Sequence, residues 1–316
     1  MRLECATSLL LIAGTLTVAA AQQSVQMKKP ELTAGVCHAG MKLDNTQIFQ
    51  NYRTSTYRNY DDDGCIEIYR DGHLVFSRKG GVFYIGNSVN AGDTLDDGSK
   101  IPAIPIGTDL TGRGKPDIIL NEWSGGAHCC YQFHIVELGD TVRKIATIDA
   151  EDSDYAHFDD LDRKGIYEFF GWDFTFSYWH TSFAGSPAPE IILRFNGKNY
   201  ALANAQMEKP LPSREALIET QTQIRSAEWE NNFPPPLLWE TMLNLIYTGH
   251  SGVARGLLDD AWVPGHIQKN TFIAEFCNRL SESPYARQLS DISTFGCPRS
   301  TTTPTIKHRL MPHSSR

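Results

Sequence analysis

The chain has 316 residues, a formal net charge of −8, 21% charged and 10% aromatic residues. That length accommodates one large or two small domains, and the mild acidity argues against a nucleic-acid partner.

The first 21 residues read as a secretory signal peptide. Arg2 supplies the basic start, Ser8 to Val18 the apolar stretch, and Ala19, Ala20 and Ala21 the small-residue cleavage site. No later stretch reaches membrane-spanning length, so the expected product is periplasmic or secreted, with no transmembrane segment after cleavage. Six cysteines follow the leader: Cys37, Cys65, Cys129, Cys130, Cys277 and Cys297. An even number in an exported chain predicts disulfides. Cys277 with Cys297 is the best-supported pair, because both fall in one compact C-terminal stretch. Cys129 and Cys130 either join as neighbours or point to opposite faces of a strand and bond elsewhere.

From about Cys37 to Ala203 the chain is punctuated as a β protein. "CIEIYRDGHLVFSRKGGVFYIG" offers short alternating runs, with Asp71-Gly72 and Gly80-Gly81 as hairpin-turn dipeptides. "DIILNEWSGGAHCCYQFHIVELG" turns at Ser124-Gly125-Gly126, and "PEIILRFNGKNYALA" around Asn196-Gly197. After Pro210 the period becomes helical. "PSREALIETQTQIRSAEW" starts with Pro-Ser and an early Glu215, and "PPPLLWETMLNLIYTGH" carries Leu238, Met242, Leu245 and Ile246 on one face. "SGVARGLLDDAW" and "KNTFIAEFCNRLSES" read as two further helices, separated by Pro264-Gly265. The expected class is α+β, an antiparallel β repeat domain (propeller-like or sandwich) followed by a C-terminal helical domain. In chain order the expected parts are a signal peptide (1–21), an N-terminal segment (22–58), a β repeat domain (59–203), a helical domain (210–297) and a disordered tail (298–316).

Three acidic turns recur in the β half. "NYDDDGCIE" presents Asn59, Asp61, Asp63 and Glu67; "DLTGRGKPD" presents Asp109, Arg113 and Asp117; "DLDRKGIYE" presents Asp160, Asp162, Lys164 and Glu168. They begin at 59, 109 and 160, a period of 50 to 51 residues, and such periods mark blade or repeat architectures. A hard cation such as calcium draws oxygens from alternate positions of such a turn. Only the first loop supplies a full set of side-chain oxygens, so it is the loop chemically competent for calcium, through Asn59, Asp61, Asp63 and Glu67, although the same spacing also arises by chance in acidic surface turns. Arg113 and Lys164 put a cation at the fifth position of the other two, and both are read as metal-free turns stapled internally. "DLTGRGKPD" and "DLDRKGIYE", each leading into a strand, resemble degenerate FG-GAP or VCBS-type repeats, the blade repeats of integrin-like β-propellers. The resemblance covers roughly residues 59–203 and implies a propeller-like fold with a calcium-type loop rim. The whole chain also resembles exported bacterial proteins without an assigned activity.

Two further stretches bear on chemistry. In "WSGGAHCCYQFH" a strand would place His128, Cys130, Gln132 and His134 on one face, a set able to bind zinc or to make a thiol nucleophile. Structural disulfides are the preferred reading in an oxidising compartment. In "EDSDYAHFDDLD" and "GWDFTFSYWHTSF", Asp152, Asp154, His157, Asp159 and Asp173 could frame a polar site edged by Trp172, Tyr178 and Trp179. The favoured reading there is a repeat turn running into an aromatic core strand. No Gly-x-Ser-x-Gly, His-Glu-x-x-His or phosphate loop occurs. The sequence therefore points to an exported, non-catalytic module binding protein or glycan. The rival is a secreted hydrolase, with glycans as its candidate substrate, using Asp154, His157, Asp159 and Asp173.

Overall fold

A computed structural model describes residues 35–37, 40–90, 92–95, 97–126 and 129–298. The expected signal peptide and all but the first residue of the expected tail lie outside these residues. Among these residues, twelve strands form three antiparallel four-stranded sheets. The first contains β1 (Lys42–Phe49), β2 (Tyr52–Arg58), β3 (Gly64–Arg70) and β4 (His73–Gly80), in that spatial order. The second contains β5 (Val82–Ile85), β6 (Asp117–Gly126), β7 (Cys129–Glu137) and β8 (Arg143–Glu151). The third contains β9 (His157–Asp159), β10 (Glu168–Trp172), β11 (Glu190–Phe195) and β12 (Tyr200–Leu202). Strands adjacent in sequence are adjacent in space, as short hairpin connections dictate. The α+β class is as expected, but the three sheets do not close into a propeller.

The second sheet has two apolar faces because its β6 and β7 residues alternate. Ile118, Leu120 and Val136 pack with Tyr52, Ile66 and Ile68 of the first sheet. Ile119, Phe133 and Ile135 pack with Phe158, Phe169 and Leu193 of the third. That second cluster continues without a break into the helices, through Trp239, Leu243, Leu258, Phe272 and Phe276. The helices are α1 (Asn204–Met207), α2 (Arg214–Ser226), α3 (Pro236–Tyr247), α4 (Ser251–Ala261), α5 (Lys269–Ser281) and α6 (Ile292–Phe295). The Ser213 side chain accepts from Ala216 N–H at the start of α2, the cap that the Pro-Ser signal foretold.

Turn chemistry separates two glycine pairs that look alike in the sequence. Asp71 and Gly72 have φ of 51° and 84°, the left-handed pair of a two-residue hairpin joining β3 to β4. Gly80 and Gly81 are not a hairpin turn; they carry the chain from the first sheet to the second. Their missing side chains serve close approach. A Cβ on Gly80 would lie 2.0 Å from Glu122 Oε1, and one on Gly81 would lie 1.9 Å from the Trp123 carbonyl oxygen. Cys37–Cys65 and Cys277–Cys297 are disulfides, the second as expected, and Cys130 is also disulfide-bonded.

Candidate functional site

The second and third acidic turns are built alike, atom for atom. Asp109 Oδ1 accepts from Arg113 N–H at 3.1 Å and Oδ2 from Gly114 N–H at 2.6 Å. Asp160 Oδ1 accepts from Lys164 N–H at 2.9 Å and Oδ2 from Gly165 N–H at 2.8 Å. The ninth-position carboxylates reach back in the same way: Asp117 Oδ2 accepts from Leu110 N–H, and Glu168 Oε2 from Leu161 N–H. The fifth-position cation turns to the third-position oxygen in both, Arg113 Nε to Thr111 Oγ1 at 2.9 Å and Lys164 Nζ to Asp162 Oδ2 at 2.8 Å. Both oxygens of Asp109 and Asp160 and one oxygen each of Asp117 and Glu168 thus accept from backbone N–H groups of their own turns, whereas Asp117 Oδ1 and Glu168 Oε1 have no hydrogen-bond donor among the described residues. Arg113 also reaches Glu137 Oε2 at 2.8 Å, and Arg194 lies 3.4 Å from Glu168 Oε1. Burial pushes the Asp117 carboxyl up to about 7, against the pull of the Leu110 N–H and the Arg113 charge. Burial likewise raises Glu168.

The first acidic turn differs in place and in bonding. It joins β2 to β3, the second and third strands of its sheet, whereas the other two lead into second strands. Asn59 Oδ1 accepts from Asp61 N–H and Asp63 N–H, each at 2.9 Å, and Asn59 Nδ2 donates to Asp63 Oδ2. Glu67 is fully buried on β3, where its carboxylate accepts from Cys37 N–H and Tyr69 O–H. The four residues named for calcium therefore do not come together as a ligand set. Among the described residues, no three His, Cys, Asp or Glu side chains form a metal-ion group.

Of the zinc or thiol set, His128 lies outside the described residues and Cys130 is oxidised in a disulfide, so it offers no thiol. His134 is buried in the second sheet between Glu122 and Thr147. The hydrolase set is not joined either. Asp154 offers its backbone carbonyl to Ser88 and Asn90. His157 stacks on Phe170 and pairs with the Tyr155 carbonyl. Asp159 caps Asp160 N–H. Asp173, 1% exposed, takes Thr175 N–H and O–H on one oxygen and Tyr247 O–H and Ser283 O–H on the other. Four donors on one buried carboxylate leave no lone pair for a water or a sugar oxygen. Nearby Glu151, at φ 48°, is pushed up to about 8 by burial and then by the charges of Asp173 and Asp149, with Arg279 opposing. Trp179 is half-buried among Phe176, Phe233, Trp239 and Phe276 and is no stacking platform, whereas Tyr178 is 55% exposed.

Asp173 instead fixes one wall of a cleft between the third sheet and the helices. Its partner Tyr247 ends α3 and lines the cleft, so the Tyr247–Asp173 bond ties α3 to the end of β10. The cleft measures about 570 Å3. Its lining includes Trp172 at the end of β10, Pro189 just before β11, Met207 of α1, and Leu237, Glu240, Thr241, Asn244 and Leu245 of α3. Residues 237, 240, 241 and 244 share a helix face through their three- and four-residue spacing. Lys209 pairs with Glu190 at 3.4 Å on the rim, and His250 Nε2 holds the Lys209 carbonyl at 2.7 Å. Pro189, Pro210 and Pro212 stiffen the rim by their fixed φ. With Lys209 paired, Glu240 gives the cleft an unbalanced negative charge. Of this lining, the sequence points to Trp172 as an edge of a polar site and to Leu245 only as part of an apolar helix face. The proline pair of "KPLPS" next to a helix start was the one other signal on offer.

No family model matches the chain, and neither the curated proteins nor the solved structures give a match.

Proposed function

We propose that the protein is an exported binding module that takes a protein or glycan ligand in the cleft between the third sheet and α3. The observation that carries this reading is the cleft lining, in which Trp172 shares a space of about 570 Å3 with the polar side chains Glu240, Thr241 and Asn244. Recognition sites pair a mostly apolar hollow with a few placed polar groups, and their volumes run from about 300 to 1,000 Å3. The walls are preorganised by the Tyr247–Asp173 and His250–Lys209 bonds. Little ordering is left for binding to impose. In this reading the turns at Asp109 and Asp160 are internal staples. The Cys37–Cys65 and Cys277–Cys297 disulfides, and the lack of a membrane-crossing helix among the described residues, are compatible with export. The hydrolase alternative draws no support from Asp173, whose oxygens are fully taken.

The test is binding of the purified chain to glycan and peptide arrays, repeated with Trp172→Ala and Glu240→Lys. A ligand bound by the native chain and lost by both variants is expected. Binding that ignores both substitutions, or no binding on either array, overturns the assignment.

A further inference from the structure

A line of polar side chains crosses the first and second sheets, away from the cleft. Arg78 of β4 donates through Nε to Glu122 Oε2 of β6 at 3.0 Å, and Gly81 N–H donates to Glu122 Oε1 at 3.0 Å. His134 of β7 places Nε2 2.7 Å from Glu122 Oε2 and Nδ1 3.0 Å from Thr147 Oγ1 of β8. His134 is fully buried, whereas Thr147 is surface-exposed. Burial alone would raise the Glu122 carboxyl, but His134, Gly81 N–H and Arg78 outweigh it and hold it near 2. Glu122 is therefore an ionised acceptor, and in the neutral imidazole Nε2 must carry the proton it donates. That leaves the Nδ1 lone pair facing Thr147, whose hydroxyl donates to it. A hydroxyl, a base within hydrogen-bond reach and a third group orienting that base make up the arrangement of an activated nucleophile. The Glu122 carboxylate fills the space that a side chain at position 80 would need, and Gly81 N–H, Arg78 and His134 hold it there.

We propose that Thr147 is a nucleophilic hydroxyl activated by His134, which accepts an acyl group from a small activated ester. Thr147 Oγ1 forms the new bond to the acyl carbon while its proton passes to His134 Nδ1. The ester C–O bond breaks, and the departing alkoxide or aryloxide takes that proton from Nδ1, so His134 ends neutral. Water then attacks the acyl-threonine by the same route in reverse and frees the carboxylic acid. Thr147 stands on the last strand of its sheet. Alternate backbone N–H groups of such an edge strand have no strand partner, and they are the donors at hand for the developing oxyanion.

The experiment is intact-mass analysis of the purified full chain after incubation with a small alkyl fluorophosphonate, an electrophile that traps activated hydroxyls. One adduct, mapped to Thr147 by peptide mass, is expected. Thr147→Ala should abolish it and Thr147→Ser should keep it. His134→Gln should slow it by about 100-fold or more, the usual contribution of a general base. Thr147 is exposed, so its two variants remain informative even where His134→Gln fails to fold. No adduct on the native chain, or an adduct that survives Thr147→Ala, overturns the proposal.

Discussion

Asp117 makes the protein's stability fall as pH rises, and Asp117→Asn should remove part of that dependence. The carboxylate is 1% exposed, and its Oδ1 has no hydrogen-bond partner among the described residues. Burial raises its folded value from 3.8 to about 7. A folded pKa above the unfolded one means that the native state binds the proton more tightly. Between about pH 4 and pH 7 unfolding therefore releases protons, and stability is lost as pH rises through that window. Raising one carboxyl from 3.8 to about 7 sets a ceiling of about 4 kcal/mol on the loss. Glu151, raised to about 8, and Glu168, also raised, act in the same direction. Glu122, held near 2, acts oppositely but only below its ordinary carboxylate range, so a comparison of pH 5 with pH 8 avoids it. The assay is urea unfolding of native protein and Asp117→Asn at both pH values. Asparagine keeps an acceptor for Leu110 N–H and removes the buried charge. The variant should gain about 2 to 4 kcal/mol over the native chain at pH 8. At pH 5 the gain should already be about 1 to 2 kcal/mol, because the unfolded carboxyl is ionised there, so the difference should widen by about 2 to 3 kcal/mol between pH 5 and pH 8, and a shallower slope should persist from Glu151. Equal pH dependence in the two proteins, or a variant weaker than native at pH 8, would show that the Asp117 charge is not the source.

Tyr247→Phe should destabilise by about 1 to 3 kcal/mol by taking one donor from buried Asp173; the loss should show in thermal melts, and any array ligand of the cleft should dissociate faster. Cys297→Ser opens a bridge spanning 20 residues of sequence and should cost about 3 kcal/mol in non-reducing urea melts. Arg113→Asp sets a new carboxylate beside Asp109, Asp117 and Glu137 and breaks the 2.8 Å contact with Glu137. It should lower the urea midpoint in chelator, and a midpoint unchanged from native would count against an internal staple. Gly80→Ala pushes a methyl group onto Glu122 Oε1 and should destabilise by about 1 to 3 kcal/mol in urea melts, the usual cost of overpacking.

What was readable in the chain was local, and what escaped was the partner that local chemistry serves. The turns at Asp109 and Asp160 were found because glycine and spaced carboxylates are needed to reverse the chain. The same oxygens satisfy backbone N–H groups as readily as they ligate an ion, and the spacing alone does not tell the two apart. Asn59 to Glu67 matched the spacing equally well, yet the ninth residue there faces Cys37 and Tyr69 from within a strand. Whether a ninth-position carboxylate turns back to its loop depends on which strand pair the loop joins, and that is a property of the sheet. Gly80-Gly81 carried the dipeptide signal of a hairpin, but its cause is Glu122, 42 residues beyond Gly80. The cleft lies further still from local pattern, since Trp172, Glu190, Lys209 and Glu240 come from a strand, its neighbour, a connector and a helix. Asp173 shows the consequence most plainly. In the sequence it is one acid among several near histidine and tryptophan, the composition of a hydrolase site. In the fold, Tyr247 and Ser283 arrive from 74 and 110 residues away and take its lone pairs. A carboxylate engaged on every side locks walls together, and that is why the aromatic segment is better read as the frame of a binding cleft than as a place where bonds are cut.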